Sequence, residues 1–335
     1  MLVTIKDIAK AAGVSHTTVS RALRGHPAIS TETTRHIQQL AEQMGYVPSA
    51  VAQSLNSRQT FTIGMVVTTI ADPFVPLVAE GIEKVAQEAG YSVFLMTSYN
   101  DPEREMTVVE TLQRRRVDAI IVTASRVGSL YGEQLERIQV PIVLINNQEN
   151  GEFLHSIAVD DVQGAKLATE HLLALGHRRI GYVGLLTRPK SNAHRLLGYQ
   201  AALQKADIPQ DPNLIFLPPP DDDFRCGELA LSLHLKHQAT AILCYNDITA
   251  IGLLNTCQQN QIAVPQALSI IGFDDIEAAQ YVSPPLTTFR QPRLQMGELA
   301  MQMILDLLNK KSVEDQLLPG ELIIRGSTVQ IYPEQ

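Results

Sequence analysis

From Thr62 onward, short runs of consecutive apolar residues alternate with amphipathic stretches of helical length. The runs are IGMVV (63–67), SVFLM (92–96), DAIIVT (118–123), PIVLI (141–145), IGYVGL (180–185), TAILCY (240–245) and SIIGF (269–273). Runs without polar alternation are the pattern of strands buried on both faces, and strands separated by helices build parallel sheets covered by helices. Roughly 270 residues of this pattern exceed what one such sheet needs, so two α/β lobes are predicted.

The first 45 residues follow the helical period instead. Three short patterns, Ile5 to Ala12, His16 to Arg24 and Thr31 to Gly45, are broken at Gly13 and between Gly25 and Pro27. The first connection is only Gly13-Val14-Ser15. Two short helices joined by such a turn, with a longer third helix behind them, form a helix-turn-helix. Ile8, Ala9, Val14, Val19, Leu23, Ile37, Leu40 and Ala41 supply its miniature core. With Ser15 as cap of the second helix, His16, Thr17, Ser20 and Arg21 face outward while Val19, Ala22 and Leu23 turn in. Arginine can bond a guanine edge in bidentate fashion, a threonine methyl can touch a thymine methyl, and hydroxyls can hold phosphates. The second helix therefore reads as a recognition helix.

Charge sharpens this picture. The chain of 335 residues carries a net −8. Residues 1 to 60 hold Lys6, Lys10, Arg21, Arg24, Arg35 and Arg58 against Asp7, Glu32 and Glu42, which is +3 and leaves −11 elsewhere. A basic head on an acidic body brings only the head to a polyanion. The N-terminus lacks a signal-peptide pattern and no apolar run is long enough to span a bilayer, so a cytoplasmic location without membrane contact is expected. Cys226, Cys244 and Cys257 read as buried thiols, not as a disulfide framework or metal site. The tract PPPDDD (218–223) reads as a surface loop, and the C-terminus has no heptad pattern.

Enzymatic signatures are missing: there is no P-loop, no G-x-G-x-x-G after a strand, no G-x-S-x-G elbow and no H-E-x-x-H. No cofactor, metal or catalytic residue is expected. His234 and His237 at i, i+3 spacing suit a solvated helix face better than a metal site. The pairs Asp160-Asp161 and Asp274-Asp275 follow apolar runs, which places them at strand carboxyl ends, where open α/β sheets bind ligands.

The run TIKDIAKAAGVSHTTVSRALRG, then Ile29-Ser30 and GYVPSAVAQSL (45–55), resembles the DNA-binding head of the LacI/GalR (lactose repressor) family of bacterial transcriptional regulators. The resemblance continues through IGMVVTTIADPF, ATEHLLALGHRRIGYVG (168–184), HRLLGY (194–199), CYNDITAIG (244–252), SIIGFDD (269–275) and PLTTFRQP (285–292), nearly the whole chain. It implies an all-α helix-turn-helix head (1–47), a hinge helix (48–59) and a two-lobed sensor (60–335) like type I periplasmic binding proteins. One lobe is expected at about 60–159 and 290–318, the other at about 160–289 and 319–332.

By that resemblance His16, Thr17 and Arg21 read bases, and Ser15, Thr18, Ser30 and Thr33 contact phosphate. His16 departs from the aromatic residue of the lactose repressor, so that protein's operator does not carry over. The segment Pro48 to Ser57 is too short to be a stable helix alone in water. In the family two such helices pair across a homodimer through Val51 and Ala52, and Leu55 wedges into the minor groove of a pseudo-palindromic double-stranded operator. Without a heptad segment, a dimer is the expected limit. The family's effector residues map onto Thr68, Phe74, Ser125, Asn146, Arg195, Asn246, Asp274 and Gln291, a set suited to a sugar. A purine or nucleoside is the alternative effector, and Arg188, Lys190 or Arg293 could instead receive a phosphate. PPPDDDFRC (218–226) replaces the family's aromatic-bearing loop, which leaves the place of Phe224 open. A transport binding protein is disfavoured by the basic head, and an α/β enzyme with Asp160 or Asp274 as base lacks a nucleophile or phosphate-binding motif.

Overall fold

The structure is a computed structural model that describes residues 3–46, 59–127, 140–148, 155–218 and 222–331. The hinge residues Val51, Ala52 and Leu55 lie outside the described residues. The chain divides into two compact units, Met1–Thr60 and Phe61–Gln335.

In the first unit, α1 (Ile5–Ala12) opens with Asp7 accepting hydrogen bonds from the backbone N–H and the hydroxyl of Thr4, at 2.9 and 2.7 Å. It stops at Gly13, whose φ of 67° is a left-handed cap that costs glycine little. The helices α2 (His16–Leu23) and α3 (Thr31–Gln43) are N-capped by Ser15 and Ser30, whose Oγ atoms accept from the N–H groups of Thr18 (3.1 Å) and Thr33 (3.2 Å). Ile8, Val19, Ala22 and Ile37 are fully buried between the three helices, with Val14, Leu23 and Leu40 half-buried around them.

The second unit holds two six-stranded sheets. The first contains β1 (Thr62–Val67), β2 (Ser92–Thr97), β3 (Ala119–Thr123), β4 (Ile142–Ile145), β5 (Ser156–Val159) and β11 (Gln316–Leu318) in the order β11-β5-β4-β3-β1-β2, all parallel. The second contains β6 (Ile180–Val183), β7 (Ile215–Phe216), β8 (Ala241–Cys244), β9 (Ser269–Asp274), β10 (Thr287–Arg290) and β12 (Glu321–Ile323) in the order β12-β10-β9-β8-β6-β7. Only β12 runs antiparallel to its neighbour. The main chain passes between the sheets after β5, after β10 and between β11 and β12. The helix after β10 (Arg293–Leu308) accordingly packs on the first sheet, where Met296, Ala300, Met301 and Ile304 join the core of Ile63, Met65 and Ile121.

The central strands are buried throughout, as continuous apolar runs require. The run at 92–96 is an exception, because β2 is an edge strand and exposes Phe94 (48%) and Leu95 (41%). Five strands, β5, β7, β10, β11 and β12, carry no long apolar run. In β10 the sequence TTFR buries Thr287 and Thr288, whose hydroxyls are hydrogen-bonded, to Arg325 N–H and to Asp247 respectively. Among the described residues no helix is long and apolar enough to cross a membrane.

Candidate functional site

Each sheet of the second unit reverses its strand order beside its first strand, between β1 and β3 in one and between β6 and β8 in the other. Carboxyl ends of strands at such a reversal leave a crevice, and here the two crevices share one cavity. Thr68 follows β1, Thr123 and Ala124 close β3, and Asn146 follows β4. From the other sheet come Tyr245 and Asn246 after β8 and Asp274 at the end of β9.

Arg195 lies on the helix Pro189–Lys205 and is 4% exposed. Its Nε donates to Asp161 Oδ1 at 2.8 Å and its Nη1 to the Tyr245 carbonyl. Its guanidinium carbon sits 3.7 Å from the Phe273 ring centroid and 4.3 Å from that of Tyr245. Burial works against its charge, but Asp161, Tyr245 and Asp274 more than offset this and hold its pKa raised. The cation is thus fixed in position and orientation before any ligand arrives.

Asp274 is buried beside it and accepts a hydrogen bond from Gln291 Nε2, while Asn146 Nδ2 donates to Gln291 Oε1 at 3.4 Å. Burial pushes its carboxyl up to about 8, against the pull of Arg195. Burial favours the protonated carboxyl, a form that can donate to a ligand oxygen. Because the folded value lies above the ordinary 3.8, the folded chain binds this proton more tightly than the unfolded one. The resulting stability is complete below the ordinary carboxylate range and is lost as pH rises through the interval up to about 8. Asp274→Asn removes the ionisation, so its melting temperature should exceed that of the parent at pH 8 and converge on it toward pH 4. A gap of equal size at both pH values in scanning calorimetry would contradict this.

Asn246 has two roles. Its Oδ1 caps the helix Asp247–Gln259, accepting from Thr249 N–H at 2.9 Å and Thr249 Oγ1 at 2.8 Å, while its Nδ2 donates to Asp223 Oδ2 at 2.6 Å. Burial raises the pKa of Asp223. That residue begins the helix Asp223–Leu229, which lies against Asp247–Gln259 through Gly227 and Gly252: a Cβ on Gly252 would collide with the Phe224 carbonyl, and one on Gly227 with the Thr249 carbonyl. The close approach of the two helices puts Asp223 beside Asn246.

Hydrogen bonds between the sheets' loops close the cleft. Arg188 Nη2 donates to Thr68 Oγ1 and to Asp72 Oδ2, both at 3.1 Å. Gln148 Nε2 donates to Ser191 Oγ at 2.9 Å and its Oε1 accepts the Ser191 N–H at 3.2 Å. Arg293 donates to the carbonyls of Pro73 (2.9 Å) and Asp275 (2.6 Å). Arg188 and Arg293, expected as possible phosphate receivers, hold these partners, while Arg188 Nη1 and Arg293 Nε have none among the described residues.

Of the eight effector positions expected from the sequence, Thr68, Phe74, Asn146, Arg195, Asn246, Asp274 and Gln291 line the cavity. Ser125 does not. Ala124 turns the chain at φ 51°, and the Ser125 hydroxyl donates to buried Glu105 behind the cavity wall. The expectation of a surface loop at PPPDDD also fails at its end: Asp222 caps the helix by accepting the Arg225 N–H at 2.8 Å, and the next residue, Asp223, enters the cavity wall. Phe224 is not in that wall. Asp72, Gln148 and Ser191 were not singled out from the sequence, although Asp72 stands two residues before Phe74 and Ser191 one turn before Arg195. His234 Nδ1 bonds the Ala239 carbonyl at 2.8 Å, and among the described residues no cluster of His, Cys, Asp and Glu is suited to a metal ion.

In the first unit His16, Thr17 and Arg21 are exposed on α2. Ser15 and Thr18 share a hydroxyl contact of 2.9 Å, as do Ser30 and Thr33 at 2.8 Å. Ser20 is tied to Arg24, whose Nη2 donates to its hydroxyl at 2.6 Å.

Comparison with known proteins decides what these parts belong to. The description "Bacterial regulatory proteins, lacI family" matches residues 4–49, and "Periplasmic binding protein-like domain" matches 169–328. The HTH-type transcriptional repressor PurR of Aliivibrio salmonicida (strain LFI1238) is 33% identical over 333 residues, 97% of this chain and 99% of the relative. This chain belongs to the lacI family. Among solved structures of similar fold, the lac repressor dimer bound to operator and the anti-inducer ONPF matches with a TM-score of 0.87 and 27% identity, over 98% of this chain and 100% of that one. A LacI family regulator from Enterococcus faecium with bound ribose matches with a TM-score of 0.73 and 29% identity, over 81% of this chain and 100% of that one. This lacI-family protein is a DNA-binding transcriptional repressor, with the head carrying α2 and a sensor unit carrying the cavity.

Proposed function

We propose that this repressor binds a pseudo-palindromic operator as a homodimer, and that a neutral sugar in the cavity of the second unit controls its operator affinity. The observation that carries the sugar reading is the ion pairing of the cavity's arginines. Arg195 is ion-paired with Asp161 and Arg188 with Asp72, so neither cation is left without a carboxylate to invite a phosphate. The lining also offers amides and hydroxyls, among them those of Thr68, Asn146, Gln148 and Gln291, and the ring of Phe74. Sugars offer adjacent hydroxyls to such groups and an apolar face to such a ring. The E. faecium neighbour with ribose supports the same reading.

A purine or nucleoside is the second reading, favoured by the PurR relative and by Asp223 and Asn246, a carboxyl and an amide side by side at 2.6 Å that match the donors and acceptors of a base edge. A thermal-shift screen separates the two. At a hundredfold excess over Kd a ligand adds about 2.7 kcal/mol, which is roughly 5–10 °C for a unit of this size. Sugars should produce the shift. A shift with purines or nucleosides alone would overturn the sugar reading and leave the repressor assignment intact.

In the head, His16, Thr17 and Arg21 read base edges while Ser15, Thr18, Ser30 and Thr33 hold phosphates, a role compatible with their capping bonds. Val51 pairs the hinges and Leu55 enters the minor groove, so hinge folding is coupled to DNA binding. The exposed Phe94 and Leu95 on edge strand β2 support pairing of two sensor units.

A further inference from the structure

A second cavity adjoins the first and shares Thr68, Asp72, Arg188, Asp223, Asn246 and Asp274 with it. The Arg188–Asp72 pair lies in the lining of both. Resting on the reading of the effector as a neutral sugar, we infer that this outer chamber is a second saccharide subsite, and that the effector is a disaccharide or longer glycan.

Three observations carry this. Tyr99 lines the outer chamber alone and is 62% exposed, with the Arg104 guanidinium carbon 4.7 Å from its ring centroid. An aromatic ring held by a cation and otherwise open is a platform for the C–H face of a sugar. Its position is set by the inner site, because the Tyr99 N–H donates to the Thr68 carbonyl at 2.7 Å. Both Tyr99 and Asn100 sit in the left-handed region, at φ 52° and 61°, so the loop turns sharply right after this anchor. Second, Ile248 and Ile276 add apolar lining beside polar Thr187, the mixture that a saccharide with apolar faces and hydroxyl edges requires. Third, two buried polar atoms in this lining lack hydrogen-bond partners: Asn100 Oδ1, an acceptor, and Arg188 Nη1, a donor. A sugar hydroxyl donates and accepts, so the hydroxyls of one unit satisfy both kinds of orphan. The first unit of the glycan then occupies the inner cavity by Arg195 and Asp274, and the next unit lies past Arg188 against Tyr99.

The test uses the full chain and calorimetric titration with D-glucose, D-galactose, D-fructose and D-ribose, and with maltose, cellobiose, lactose and sucrose. At least one disaccharide should bind tenfold or more tightly than its constituent monosaccharides. Tyr99→Asn removes the ring and Asn100→Gly the orphan oxygen, and both replacements tolerate the left-handed backbone. Each should bring the disaccharide to within about threefold of the monosaccharide and leave monosaccharide affinity unchanged. Monosaccharides that bind as tightly as disaccharides, or a preference that survives both substitutions, would overturn the outer subsite while sparing the sugar reading. Binding of no saccharide of either size would overturn both.

Discussion

Asp161→Asn should lower the melting temperature of the sensor unit by roughly 10 °C. The carboxylate and the Arg195 guanidinium are both almost fully excluded from water, at 6% and 4% side-chain exposure, and meet at 2.8 Å. Removing one partner of such a pair leaves a buried charge without compensation and costs about 3–5 kcal/mol. For a unit of this size each kcal/mol is worth roughly 2–4 °C. The stacking of Arg195 between Phe273 and Tyr245 prevents the guanidinium from swinging out to water, so the loss is not relieved by rearrangement. Replacing both partners, Asp161→Leu with Arg195→Met, should recover most of the stability, because apolar groups of similar volume leave no charge to desolvate. It should not recover effector binding, since Arg195 lines the cavity. Differential scanning calorimetry checks the first expectation; a single variant melting within 2 °C of the parent would contradict it.

Arg21→Ala should weaken operator binding by roughly 30-fold or more. A bidentate contact to a guanine edge is worth about 1–3 kcal/mol, and a dimer with two heads makes it twice. The side chain is exposed on α2, and its helix is held to the head by Val19 and Ala22 on the opposite face, so the substitution leaves the fold alone. The loss should be confined to the selected operator and leave binding to random DNA almost unchanged. Gel-shift titration on a sequence recovered from a randomised palindromic library provides the check. Equal weakening on both DNAs would make Arg21 a phosphate contact, and no weakening would remove it from the interface.

The sequence pattern was most informative where burial was uniform. Strands β1, β3, β4, β6, β8 and β9 lie inside their sheets and show unbroken apolar runs, which identify them without a structure. β2 shows such a run for another reason, as its Phe94 and Leu95 are exposed at the edge. β10 hid because its buried threonines satisfy their hydroxyls by long-range hydrogen bonds, and polar residues buried in this way leave no periodic signal. The cavity was legible at strand ends such as Asn246 and Asp274, where topology dictates placement. It was illegible where one dihedral decides direction. Ala124 at φ 51° sends Ser125 to Glu105, and the capping of a helix by Asp222 sends Asp223 inward from a tract whose composition suggests solvent.

One small molecule and one operator should compete or cooperate for the same repressor. The most direct test of this coupling measures operator affinity by fluorescence anisotropy with and without the saturating sugar, and sugar affinity by calorimetry with and without operator. Linkage requires the two ratios to be equal, and couplings of about 1–3 kcal/mol place both between roughly 5- and 150-fold. Ratios within twofold of unity, for a sugar that binds the sensor and an operator that binds the head, would contradict the account.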